Sequence, residues 1–138
     1  MSIYVPVEEF TTPDPITAHE GMLVDDLWRL MDMHGVRHVP IVRDDEVVGV
    51  VSDRDVRLVL GLSAAEKFQV QAADVMSPEP LTVKRDAPLD EVAFLMADKK
   101  VGSVIVHDDE GRLVGIFTAT DALNALVEIV RKGGAPTA

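Results

Sequence analysis

The chain contains no cysteine. That excludes disulfides, thiolate nucleophiles and cysteine-ligated zinc, and it is compatible with a reducing compartment. Aromatic residues are scarce, 4% of the sequence against 47% apolar residues in all, so any core is aliphatic. Cations are few as well: 13 Lys and Arg against 24 Asp and Glu leave a formal charge of −11. Phosphate backbones and anionic lipid surfaces are held by clustered Lys and Arg, and no such cluster is present. Neither nucleic acid nor a membrane is an expected partner. No segment approaches the roughly 20 continuous apolar residues of a membrane span. Met1 to Glu9 also lacks the basic start and apolar run of a secretory leader. A soluble, cytoplasmic protein is expected.

Signatures of catalysis are missing too. His19, His34, His38 and His107 are not expected to form a helical zinc pair. There is no glycine-rich phosphate loop and no nucleophile elbow. The chain is expected not to be an enzyme and to carry no metal site. Its 138 residues make one compact domain, or two small units fused around a shared core.

What the chain does contain, it contains twice. Gly49-Val50-Val51-Ser52-Asp53-Arg54-Asp55 recurs as Gly115-Ile116-Phe117-Thr118-Ala119-Thr120-Asp121, each copy a strand, a hydroxyl, and an acid three residues later. Upstream, Pro13-Asp14-Pro15-Ile16-Thr17 recurs 65 positions on as Pro78-Glu79-Pro80-Leu81-Thr82. A repeat sets the architecture, and it moves the search from one catalytic centre to two equivalent clefts.

Within the first copy, Val24, Leu27, Leu30, Met31 and His34 fall at helical spacing, with Asp25, Asp26, Arg29 and Asp32 on the opposite face. Gly35 is a natural stop. Strands are predicted over His38–Val42 and Val47–Val51 around an Asp44-Asp45 turn, then a helix from about Asp53 to Leu60. The second copy runs in the same order. Leu89, Val92, Leu95 and Met96 form the helical stripe, Ser103–His107 and Leu113–Phe117 the strands, and Thr118 caps a helix to about Val130. A short helix is predicted over Ala64–Lys67. Each copy is thus β-α-β-β-α in outline. A sheet of so few strands is marginal alone, so two copies are expected to pack sheet to sheet with pseudo-twofold symmetry, an α+β fold. The expected organisation is repeat one with its N-terminal segment over 1–62, a linker and lead-in over 63–76, repeat two over 77–132, and a disordered tail over 133–138.

This organisation resembles a tandem pair of CBS domains, a Bateman module. The resemblance rests on the two Pro-x-Pro-h-Thr blocks, where h is apolar, and on the blocks Gly35–Val42 and Lys100–Val106. It rests also on the Gly-h-h-Ser/Thr-x-x-Asp endings and on the lead-in Asp74-Val75-Met76-Ser77-Pro78. It covers nearly the whole chain, from about Thr11 to Val130. The resemblance implies a stand-alone regulatory module that binds an adenosine compound (AMP, ADP, ATP, S-adenosylmethionine or a dinucleotide) in clefts between the repeats. It also implies a homodimer. No cofactor is required; an adenine nucleotide is the expected regulatory ligand.

Read on the residues alone, Ser52-x-x-Asp55 is close to a capping box, in which both side chains satisfy orphan N–H groups. The same helix N-terminus also suits phosphate, because its free N–H groups and dipole attract an anion. The two roles are compatible. The resemblance implies that Asp55 and Asp121 hold ribose while Ser52 and Thr118 assist near the phosphate. The purine needs an apolar slot with backbone edges. Ile16, Thr17, Ala18, Val39 and Pro40 are the candidates in site one, and Leu81, Thr82, Val83, Val104 and Ile105 in site two; each equally suits plain core packing. Pro40, a proline within a strand, calls for an edge or a bulge. Arg54 is the leading phosphate partner, and its counterpart is Thr120, so site one is expected to be tighter. Arg37, His38, Lys99 and Lys100 are further candidates that equally suit solvated surface positions.

Two functions compete. In the first, occupancy of the clefts shifts the repeats or the dimer, and the change passes to an unknown effector protein. Only differential affinity for two states can do this. The alternative is a dimerisation or protein-interaction module that binds no nucleotide. In it, Ser52 and Thr118 are caps only, and Leu123, Leu126, Val127 and Val130 form a dimer face.

Overall fold

The structure is a computed structural model, and it describes residues 3–63 and 69–133. The helix predicted over Ala64–Lys67 and the tail beyond Gly133 lie outside the described residues. The chain is mixed α+β, with two four-stranded sheets and two compact units. One unit is Pro15–Pro80; the other joins Met1–Asp14 to Leu81–Ala138.

In the Pro15–Pro80 unit the sheet contains β2 (Ala18–His19), β3 (His38–Arg43), β4 (Glu46–Ser52) and β5 (Ser77–Pro78), in that order. β2 runs parallel to β3, and the other pairs are antiparallel. Helix α1 (Val24–His34) has the predicted apolar stripe: Val24, Leu27 and Met31 are buried, and Leu30 packs against the cluster. His34 does not join it; it lies exposed in the last turn of α1. Gly35 ends the helix in the left-handed conformation, φ 63°. Helix α2 (Asp53–Leu60) buries Val56, and the short α3 (Ala72–Val75) buries Ala72. These residues join Ala18, Val39, Ile41 and Val51 in one aliphatic core.

The other unit repeats the plan. β6 (Thr82–Lys84), β7 (Ser103–His107) and β8 (Leu113–Thr118) form a sheet whose remaining strand is β1 (Thr12–Pro13). Helix α4 (Leu89–Lys99) buries Leu89, Val92 and Met96. It stops at Lys100, which takes the left-handed conformation (φ 56°) that Gly35 takes in the first copy. Helix α5 (Ala119–Gly133) buries Ala125. With Val104, Val106 and the fully buried Phe117, these residues enclose Val7 from the N-terminal segment.

The leading segments are thus exchanged. Residues at the entry to the first repeat complete the second repeat's sheet, because Thr12 pairs with Ile116 and Pro13 with Gly115. Residues at the very start of the second complete the first, because Ser77 pairs with Val50 and Pro78 with Gly49. The backbone bonds match: Val7 N donates to Ala87 O and Leu89 N to Val5 O, as Ala72 N donates to Met22 O and Val24 N to Val70 O. The switch between sheets falls inside each Pro-x-Pro block. Asp14 and Glu79 stand there at φ 46° and 51°, each before a proline that disfavours right-handed helical backbone.

This exchange explains the glycine that opens each repeated ending. A Cβ on Gly49 would lie 2.5 Å from Met76 Sδ and 3.0 Å from the Ser77 carbonyl oxygen. A Cβ on Gly115 would lie 2.6 Å from Thr11 Cγ2 and collide with the Thr12 carbonyl oxygen. Each glycine is where the exchanged strand crosses closest.

Candidate functional site

The two endings fold as the capping reading requires. Ser52 is extended (φ −98°, ψ 162°) at the end of β4 and caps α2. Asp55 N donates to Ser52 Oγ at 3.2 Å, and Ser52 N donates to Asp55 Oδ2 at 2.9 Å. In the other unit, Asp121 N donates to Thr118 Oγ1 at 3.3 Å and Thr118 N to Asp121 Oδ2 at 2.9 Å. The first helical N–H is also held: Asp53 N donates to Arg37 O and Ala119 N to Gly102 O. Each corner therefore carries a half-buried hydroxyl and a half-buried carboxylate in fixed register.

Register gathers the other candidates at the same end of each sheet. His38 lies opposite Ser52, Val39 opposite Val51 and Pro40 opposite Val50. Ile16 and Thr17 immediately precede β2, whose pairing with β3 begins at Ala18 and Ile41. In the other unit Ser103 lies opposite Thr118 and Val104 opposite Phe117, while Thr82 pairs with Ile105 and Val83 with Val106. Successive strand side chains point to opposite faces. Val39, Val104 and Ala18 accordingly point into the cores, and Val83 and Leu81 pack against one, so these residues present only backbone edges to a ligand. Pro40 and Ile105 are buried outside those clusters, Ile16 is half-buried, and Thr17 and Thr82 are exposed.

Pro40 sits in an interior strand rather than at an edge. The chain bulges one step later, between Ile41 and Val42. A comparison of the copies shows what admits the proline. In the second, Ile105 N donates to the Leu81 carbonyl at 2.9 Å. Pro40 stands at Ile105's position and has no N–H, so the parallel ladder opens one residue later and β2 is shorter than β6. The Ile16 carbonyl receives no bond from residue 40.

The cation candidates divide. Arg54 is exposed on the first turn of α2 and makes no ion pair among the described residues, whereas its neighbour Asp53 pairs with Arg57 at 3.4 Å. Arg37, also exposed, is tied to that turn through its carbonyl. The corresponding residues of the other corner, Thr120 and Gly102, carry no charge. His38 begins β3 beside Ser52. Lys99 and Lys100 close helix α4, where a cation complements the dipole. Among the described residues no cluster of three His, Asp or Glu is placed to hold a metal ion, and no helix is long and apolar enough to cross a membrane.

One participant escaped the sequence reading. Thr12 Oγ1 donates to Asp121 at 3.2 Å (Oδ1) and 3.4 Å (Oδ2), across 109 residues of chain. Thr118 Oγ1 adds a bond to Oδ2 at 3.0 Å. Ser77 holds the position of Thr12 in the other sheet, opposite Val50 as Thr12 is opposite Ile116. No bond joins Ser77 to Asp55 among the described residues. Only the strand exchange brings Thr12 to Asp121, so spacing gave no signal of it.

Two copies of one α+β unit, each with a hydroxyl–carboxylate corner where a strand turns into a helix, define the class. The CBS domain family matches residues 7–61 and again 72–128, and the chain belongs to that family. Protein MK0525 of Methanopyrus kandleri is 32% identical over 120 residues, 86% of this chain; the chain spans 61% of that relative's length. Among solved structures, the CBS domain pair of protein MJ0100, in complex with 5′-methylthioadenosine and S-adenosyl-L-methionine, matches with a TM-score of 0.80 at 26% identity, covering 91% of this chain and 98% of that one. CBSX2 of Arabidopsis thaliana, in complex with AMP, matches with a TM-score of 0.77 at 29% identity, covering 90% and 97%.

Proposed function

We propose that this protein is a non-catalytic regulatory module that binds an adenine nucleotide at the corner formed by Ser52, Arg54 and Asp55. The observation that carries the reading is a carboxylate held at a helix start beside two exposed arginines, Arg37 and Arg54. A carboxylate accepts hydrogen bonds from the two hydroxyls of a ribose. The helix N-terminus and the guanidinium groups attract phosphate. The Ile16 and Thr17 backbone, with Pro40, offers a partly apolar edge for the base. Similar CBS pairs in complex with AMP, S-adenosyl-L-methionine and 5′-methylthioadenosine support an adenosine compound as the ligand class.

The same module transmits occupancy to an effector protein, and it works as a homodimer in the cytoplasm. Support for a second copy comes from α5, where Leu123, Leu126, Val127 and Val130 are between 46% and 62% exposed. A row of apolar residues left open on one helix is a surface for a partner.

Thermal melting with and without AMP, ADP, ATP, NAD and S-adenosylmethionine at millimolar concentration tests the reading. A ligand that binds only the folded state at 100 times its dissociation constant adds about 2.7 kcal/mol. We expect a rise of several degrees with at least one adenosine compound, lost in Asp55→Ala. No shift with any of them would leave Ser52 and Thr118 as caps and favour an interaction module.

A further inference from the structure

We infer that the two corners are not equivalent: Thr12 keeps the Asp121 carboxylate closed, and one nucleotide binds per chain, at Asp55. The inference rests on the nucleotide reading above and specifies which half of the repeat serves it.

A carboxylate offers about four lone-pair positions on its two oxygens. At Asp121, Oδ2 accepts from Thr118 N at 2.9 Å and Thr118 Oγ1 at 3.0 Å, and the Thr12 hydroxyl lies 3.2 Å from Oδ1 and 3.4 Å from Oδ2. Both oxygens are engaged by the protein. At Asp55, Oδ2 accepts from Ser52 N at 2.9 Å, and Oδ1 has no partner among the described residues. A ribose diol finds an open acceptor at Asp55. At Asp121 it must first displace Thr12.

Two further differences favour the same corner. Arg37 and Arg54 at the start of α2 are replaced by Gly102 and Thr120 at the start of α5, so the two guanidinium groups of the first corner have no counterpart at those positions of the second. The backbone acceptor that could read the adenine amino group is also free of its ladder bond only there. Ile105 N occupies the Leu81 carbonyl at 2.9 Å, whereas Pro40 has no N–H for the Ile16 carbonyl. Thr12 is thus a specificity-determining residue, supplied to the second repeat by the entry to the first.

Calorimetric titration of the full chain with AMP tests this. The wild type should bind one AMP per chain. Asp55→Ala should weaken binding by at least about tenfold, the loss of one charge-assisted contact, and Asp121→Ala should leave affinity within about threefold. Thr12→Val keeps a β-branched strand residue and removes the donor. It should add a second, weaker AMP per chain, while Thr12→Ser should behave as wild type. The Thr12 pair also covers the case in which Asp121→Ala does not fold, since both changes leave the capping residues Thr118 and Asp121 in place. Two equal sites in the wild type, or one AMP per chain in Thr12→Val, would overturn the inference while leaving nucleotide binding in place. No binding of AMP or of any compound in the melting panel would refute the underlying reading, and this inference with it.

Discussion

Gly115→Ala should destabilise the protein markedly, and more than Gly49→Ala. In a strand, alanine normally gains over glycine, because the unfolded chain has fewer states to lose; the gain is about 0.4–1 kcal/mol. At residue 115 the new methyl collides with the backbone oxygen of Thr12 and comes within 2.6 Å of Thr11 Cγ2. A backbone obstacle cannot rotate away, so β1 must lift from β8. Overpacking of this kind costs about 1–3 kcal/mol. Separating the strands also strains the Thr12 hydroxyl's bonds to Asp121, about 1 kcal/mol more. The net loss should be about 2–3 kcal/mol. At residue 49 the closest atom is Met76 Sδ, the far part of a flexible side chain, with Ser77 O at 3.0 Å. Rotation of Met76 relieves most of that clash, and the net loss should stay near about 1 kcal/mol. Urea denaturation followed by circular dichroism measures both. With a slope of about 2 kcal/mol per molar, the Gly115→Ala midpoint should fall by about 1–1.5 M and the Gly49→Ala midpoint by about 0.5 M. Equal midpoints for the two variants, or a Gly115→Ala midpoint unchanged from wild type, would refute the strand exchange as the reason for these glycines.

Phe117→Ala should cost about 3–5 kcal/mol in the same assay, because Phe117 is fully buried in a core with few other aromatics to close the cavity. Ser52→Ala should cost about 1 kcal/mol by removing the acceptor of the Asp55 N–H bond, and Ser52→Asn should recover most of it. Arg43 donates two hydrogen bonds to Glu20, at 2.6 and 2.7 Å, and they hold that carboxyl below its ordinary 4.5. A carboxyl depressed in the folded state stabilises fully above its ordinary value, and the contribution is lost as pH falls through the lowered one. An NMR titration should therefore show Glu20 ionising below pH 4.5 and returning to its ordinary value in Arg43→Gln; no difference between the two proteins would show that the pair does not persist in solution.

Much of this fold was legible in the residues. The strands around Asp44-Asp45, the helix after Ser52 and the stripe Leu89, Val92 and Met96 follow from local rules of periodicity and capping, and local rules can be read from one chain. The endings were legible as caps for the same reason. The exchange of leading segments was not. Val7, Thr12 and Pro13 stand at the entry to the first repeat, and nothing in their order says that their partners lie beyond residue 80. Sheet register is a tertiary outcome, and with it went the bond from Thr12 to Asp121. Pro40 lay between these cases. Its missing N–H was plain from the sequence, but its consequence for the Ile16 carbonyl emerged only when Ile105 was seen bonding Leu81 at the matching place.

The central claim is that the Ser52–Asp55 corner binds an adenine nucleotide. The most direct test is to map backbone amide shifts in the labelled protein during a titration with AMP. The account predicts that the largest changes fall on Ser52, Arg54 and Asp55, with smaller ones at Thr17 and Val39, and that Thr118 to Asp121 remain nearly unmoved. Saturable shifts centred on Thr118 to Asp121, or no shifts at millimolar AMP, would contradict it.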